Sequence, residues 1–176
     1  MNATARDSDY ATLLSPDTVR LERLLPGPIE RVWAHLTDSE LRRKWLAAGD
    51  MPTHAGGSFE LVWRNDELTD PPGRKPDGFG EEHRMSSTLT VFEPPHRLAF
   101  TWGDGDVTFI LQPQADQVLL TIVHRGISDH RNVLMIGPGW HAHADILAAR
   151  LADDTPQPFW DHWSRLREEY GRRLGE

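Results

Sequence analysis

Two histidines and an aspartate stand at alternate positions in GPGWHAHADILAARL, residues 137–151. His141, His143 and Asp145 are residue types that ligate divalent metals or pass protons. Whether they act together depends on the element that carries them. The stretch reads as a helix over about Gly139 to Ala152, and a helix turns by about 100° per residue. With Trp140 as origin, Ala144, Leu147, Ala148 and Leu151 gather around it, and His143 falls beside Leu147 within the apolar stripe. His141 and Asp145 fall on the other flank, toward solvent. A three-ligand site from this helix alone is therefore excluded, and the i, i+4 pair His141–Asp145 reads as a surface ion pair. His143 reads either as a hydrogen-bonded core histidine or as a polar group lining a cavity, where it would orient a ligand.

Other constellations are weaker. Gly78-Phe79-Gly80 lacks a third glycine and precedes a strand, so it is no dinucleotide loop. Ser128-Asp129-His130 holds triad residue types, but loop neighbours rarely converge on one substrate atom. Glu81-Glu82-His83 reads as solvated charge at a strand start. His124 shares a strand face with Val118, Leu120 and Ile122, at the inner rim of a sheet. The chain has no cysteine, which removes disulfides, thiolate zinc sites and cysteine nucleophiles. No metal site and no cofactor are expected.

The elements that must position these groups follow from periodicity. A polar arm over residues 1–17 precedes Val19–Leu25, which alternates as a strand and puts Arg23 on its apolar face. Pro28 opens a helix with Ile29, Val32, Trp33 and Leu36 inward. Asp38 or Ser39 caps a second short helix carrying Leu41, Trp45 and Leu46 inward. Gly56–Trp63 is a strand, and Asn65–Gly80 is a long polar loop. The strands His83–Glu93, Arg97–Trp102, Val107–Pro113 and Gln117–Arg125 form an antiparallel meander. A loop over Gly126–Pro138 leads to the long helix. Phe159, Trp160, Trp163, Leu166 and Tyr170 then stripe a last amphipathic helix.

Charge and hydropathy exclude whole classes. With 27 acidic against 19 basic residues the net charge is −8, which repels phosphate backbones and argues against nucleic-acid binding. No apolar run is long enough for a membrane span. The first residues lack an apolar secretory core, so a cytoplasmic protein is expected. Seven tryptophans against two tyrosines serve a large core or an aromatic-lined pocket.

The order of these pieces resembles the START-like, or SRPBCC, helix-grip superfamily. Within it, the chain resembles the bacterial branch similar to the C-terminal domain of the activator of heat-shock protein 90 ATPase. The residues that carry the match are Arg23, Pro28–Asp38, Lys44-Trp45, Gly56–Phe59, Glu93–Trp102, Gly139-Trp140 and Leu147–Leu151. The resemblance implies an α+β fold over residues 18–152, a curved antiparallel sheet wrapped around a long helix with a cavity between. Residues 153–176 would be a helical extension on the same domain, its tryptophans covering the pocket mouth or making a homodimer surface. Ala144 stands where this branch usually carries leucine, which would widen the cavity beside His143.

The expected function is binding of a small apolar or aromatic molecule without catalysis. Trp63, Trp102, Phe109, Trp140 and Leu147 would enclose it, and His124 and His143 would be hydrogen-bonding anchors. One alternative is a cyclase, aromatase or dehydratase using His143 as acid or base. Another is an interaction protein that activates a chaperone ATPase.

Overall fold

Strand alternation and long-range pairing build one sheet. The structure, a computed structural model, describes residues 6–176; residues 1–5 of the expected arm lie outside them. The strands are β1 (Thr12–Ser15), β2 (Thr18–Pro26), β3 (Ser58–Trp63), β4 (His83–Glu93), β5 (Arg97–Trp102), β6 (Gly105–Gln114) and β7 (Gln117–Arg125). The spatial order is β1-β2-β7-β6-β5-β4-β3, and every pairing is antiparallel. Along β2 and β7, Val19 faces His124, Leu21 faces Ile122, Arg23 faces Leu120 and Leu25 faces Val118. That register puts an arginine and a histidine on the face that buries the core. A register shift between Leu89 and Val91 of β4 bends the sheet there.

Four helices cover that face: α1 (Ile29–Thr37), α2 (Ser39–Arg42), α3 (His130–Leu151) and α4 (Phe159–Leu174). Helix α3 starts nine residues before the expected Gly139, and the segment expected as a loop supplies its first turns. Pro138, expected as the end of a loop, sits inside the helix. A proline removes a single backbone donor, and the Asp129 carboxylate caps the true start by accepting from the Asn132 amide at 2.9 Å. At Gly137 the helices α3 and α4 approach closely: an added Cβ would lie 3.4 Å from the Tyr170 ring. Tyr170 is fully buried with Phe159, Trp160, Trp163 and Leu166, the stripe expected from the sequence.

The described part of the N-terminal arm and the loop after β3 both bond to the body of the fold. Residues Asp7–Asp9 form a 3-10 turn before β1. The Ala11 amide donates to Tyr170 Oη at 2.6 Å, and Arg23 donates to the Asp9 carbonyl at 2.8 Å. The loop after β3 is tied to the start of α4. The Phe159 amide donates to Thr69 Oγ1 at 2.9 Å, and Trp160 Nε1 donates to Asp66 at 2.8 Å. Leu68 and Thr69 of that loop are buried.

The α1–α2 corner turns on Arg42 rather than Leu41. Leu41 is only half-buried, whereas Arg42 is wholly buried. Its guanidinium donates to the carbonyls of Leu36 and Ala47 at 3.1 Å and Thr37 at 3.2 Å, and also to that of Gly49. Burial pushes its pKa down to about 10, with Asp38 and Asp50 opposing, so it stays charged at neutral pH. Trp45 Nε1 donates to the His35 carbonyl at 2.8 Å beside it. Arg42→Ala withdraws the donor from these buried carbonyls, and urea denaturation should show a loss of about 3 kcal/mol or more. Arg43→Ala, at an exposed neighbour, should stay within about 0.5 kcal/mol of the parent.

Candidate ligand cavity

A helix laid across a curved sheet cannot fill the space under both of its flanks. The gap here is a cavity of about 580 Å³, within the roughly 300–1,000 Å³ of small-molecule pockets. Trp63 of β3, Trp102 of β5 and Trp140 of α3 form its inner wall, and Phe159, Trp160 and Trp163 of α4 form its outer wall. Gly139 lines it as well, and a Cβ there would meet nothing within 4 Å. Bare backbone at Gly139 is thus part of what keeps the space open. Trp63 and Trp102 meet edge to face at 5.2 Å between centroids, and Trp102 lies 5.6 Å from Trp140. Phe79, from the loop after β3, closes the outer side against Trp160 at 4.8 Å and Trp163 at 5.2 Å.

Of the seven residues expected around a ligand, Trp63, Trp102, Trp140 and His143 line this cavity. Phe109, His124 and Leu147 do not. Each is at most 1% exposed and lies in the core layer behind the wall. Strand parity and helix face tell which side a residue points to, but not how deep it sits. Phe109 backs Trp140 at 5.7 Å between ring centroids. His124, expected as an anchor, sits behind the wall, and its Nδ1 accepts from Trp140 Nε1 at 3.0 Å. Ala144 is buried in the core and is not part of the cavity wall; the opening is at Gly139. Residues that the sequence reading missed include Asn65, Phe79 and Phe159. The aromatic residues among polar neighbours were the only signal.

The polar side chains of the wall include His143 and Asn65. His143 Nδ1 lies 2.8 Å from the Trp45 carbonyl oxygen. A carbonyl only accepts, so the proton is on Nδ1 and Nε2 carries a lone pair. Burial pushes the His143 pKa down to about 4, only partly opposed by that hydrogen bond, and burial alone pushes His124 to about 4. Both imidazoles are neutral at pH 7. Asn65 Oδ1 is buried without a hydrogen-bond partner. Trp140 and Trp160 spend their indole N–H groups on His124 and Asp66. Among the described residues, no acceptor meets the Nε1 of Trp63, Trp102 or Trp163. Glu81, Glu82, His83 and Asn132 add polar groups to the wall, and Leu46, Met135 and Ile136 add aliphatic surface, so hydrogen-bonding groups are set in a largely apolar lining.

The flank of α3 expected to face solvent is covered by α4. His141 is fully buried, and Asp145 meets Arg23 and His162 rather than water alone. The expected surface pair His141–Asp145 is thus part of an interior charged cluster. A single helix cannot reveal that a second helix will lie on its polar side.

Sheet, gripped helix and cavity together define an α+β helix-grip protein of the START-like superfamily. The chain belongs to the family described as activator of Hsp90 ATPase homolog 1-like protein, which matches residues 26–152. It is similar to a Bordetella parapertussis protein solved by solution NMR, at 36% identity and a TM-score of 0.79, over 99% of this chain and 97% of that one. That similarity extends over α4, beyond the family match. CalU16 from Micromonospora echinospora shares the fold at 20% identity and a TM-score of 0.65, over 90% of this chain and 88% of that one. A conserved protein of unknown function from Enterococcus faecalis does so at 18% identity and a TM-score of 0.68, over 93% and 90%. The comparison with curated proteins finds no match. No helix of the described residues is long and apolar enough to cross a membrane.

The two neutral histidines fix a pH dependence. An unfolded histidine titrates near pH 6.5, whereas folded His124 and His143 titrate near 4. Between those values the unfolded chain binds more protons, so stability is full above about pH 6.5 and falls as pH drops toward 4. Unfolding near pH 5 should take up about two protons from these groups, read from the slope of stability against pH. His143→Gln should remove about one of them.

Proposed function

We propose that this protein binds a small, flat, largely aromatic molecule that carries both hydrogen-bond acceptors and donors. The observation that carries the reading is the cavity wall itself. Its apolar surface comes chiefly from tryptophan and phenylalanine, with Leu46, Met135 and Ile136, and its polar groups without a protein partner include the Nε1 groups of Trp63, Trp102 and Trp163, Asn65 Oδ1 and His143 Nε2. Asn65 Oδ1 is buried without a partner, which costs free energy, and a keto- or hydroxy-substituted ring system would pair it and the indole N–H groups. Binding rather than turnover is favoured by His143. A general acid or base works best with a pKa near the working pH, and this imidazole, near 4, is an acceptor that orients.

Gly139→Leu tests the reading without disturbing packed atoms, because its side chain enters open space. Anilinonaphthalene sulfonate is the probe, and native mass spectrometry of freshly purified protein looks for a co-purified molecule. The parent should brighten the probe saturably, and Gly139→Leu should weaken that binding by about tenfold or more. Its stability should be unchanged or slightly higher, since leucine is the better helix former. Equal probe binding by both proteins, with no bound molecule in either, would place the function elsewhere. Saturable stimulation of a chaperone ATPase by both would then assign it to a protein partner.

A further inference from the structure

The charged cluster between α3 and α4 lies outside the cavity, and the ligand reading makes no use of it. His141 and Asp145 stand at i, i+4 on α3, and His162 comes from α4. His141 Nε2 lies 3.3 Å from Asp145 Oδ2, and His162 Nε2 lies 2.8 Å from the same oxygen. All three ligand atoms fall within 4.8 Å of one another. We propose that His141, Asp145 and His162 bind one divalent first-row cation, zinc fitting best, with a fourth position open to water.

Two imidazole nitrogens and one carboxylate oxygen are the donor set of an open zinc site. Bonds of about 2.0–2.2 Å in a tetrahedron put neighbouring ligand atoms about 3.4 Å apart. The His141–Asp145 pair already has that spacing, the His162–Asp145 pair opens by about half an ångström to reach it, and the two histidine nitrogens, within 4.8 Å of each other, close toward it. An independent observation points to a ligand. His141 is 0% exposed, and its Nε2 makes no hydrogen bond of good geometry, meeting Asp145 Oδ2 at 3.3 Å. Such a nitrogen is expensive to bury, and it is aimed at the two other donors. Its ring is held from behind, with Nδ1 3.0 Å from Tyr170 Oη, the kind of outer contact that fixes a metal-binding imidazole.

The charges are arranged to suit. Burial lowers the His141 pKa, against the pull of Asp145, so the ring is neutral as a ligand must be. Burial raises Asp145, but His141, His162 and the Arg23 charge outweigh it and hold the carboxyl well below the usual range. Arg23 Nη2 sits 2.9 Å from Oδ1, the other carboxylate oxygen, which leaves Oδ2 for the cation. The guanidinium lowers affinity for a second positive charge without blocking the position. Asp145 and His162 keep 34% and 13% of their side chains exposed, so a path from solvent exists. This departs from the expectation of no metal site, which weighed three ligands from α3 alone, whereas the third ligand lies on another helix.

Chelator-treated protein is titrated with zinc by calorimetry and with cobalt by visible absorption. One zinc per chain and the absorption bands of tetrahedral cobalt are expected. His162→Gln, at the most accessible histidine of the cluster, should remove both while leaving the far-ultraviolet dichroism and probe binding in the cavity intact. Tyr170→Phe should weaken zinc about tenfold. Nitrogen-detected histidine spectra of the parent keep the test independent of any variant's folding. Zinc should shift the Nε2 signals of His141 and His162 and leave those of the other histidines in place. No stoichiometric binding, or equal binding by His162→Gln with shifts at other histidines, overturns the site.

Discussion

The indole of Trp140 bonded to His124 is the interaction around which this structure is arranged. It fastens the middle of α3 to β7 across 3.0 Å, and it works only while His124 is neutral with a free lone pair on Nδ1. Burial enforces that state. With Trp140 pinned, its ring becomes the floor of the cavity, and Gly139 beside it contributes no side chain to fill the space above. Remove the pin, and α3 could settle against the sheet and close the gap.

The gap then determines what the rest of the chain must do. An open aromatic trough would expose a large apolar surface. Helix α4 and the loop after β3 cover it with Phe79, Phe159, Trp160 and Trp163, and they are tied to each other through Asp66 and Thr69. The same docking of α4 buries the polar flank of α3. That is why Arg23, His141, Asp145 and His162 meet between packed elements, with only Asp145 and His162 keeping some contact with solvent. The cavity and the charged cluster are the two consequences of laying one helix over another whose faces differ in polarity.

Much of this was legible in the residues. Alternation located the strands, and the apolar stripe of the last helix was read correctly from Phe159 to Tyr170. Trp140 and His143 were found on the cavity side because helical phase is a local property. Depth and coverage are not local. Phe109 and Leu147 have the right facing but sit one layer too deep, and His124 is spent on an indole rather than facing the space. Pro138 hid the first turns of α3, since a proline more often begins a helix than sits within one. The polar sequence of the loop after β3 masked Leu68, Thr69 and Phe79, whose partners lie far along the chain. No pattern within α3 could show that His162 would arrive beside His141 and Asp145.

The central claim is that the space between α3, α4 and the sheet is a binding site built from indoles. The most direct measurement is the indole N–H region of a nitrogen–proton correlation spectrum, recorded while an aromatic probe is added. There are seven such signals, one for each tryptophan. Trp63, Trp102 and Trp163 should move most, because their rings line the space and no acceptor among the described residues meets their N–H groups. Trp45, whose N–H is bonded to the His35 carbonyl, should hold still. Saturable binding that leaves the signals of Trp63, Trp102 and Trp163 in place would contradict that claim.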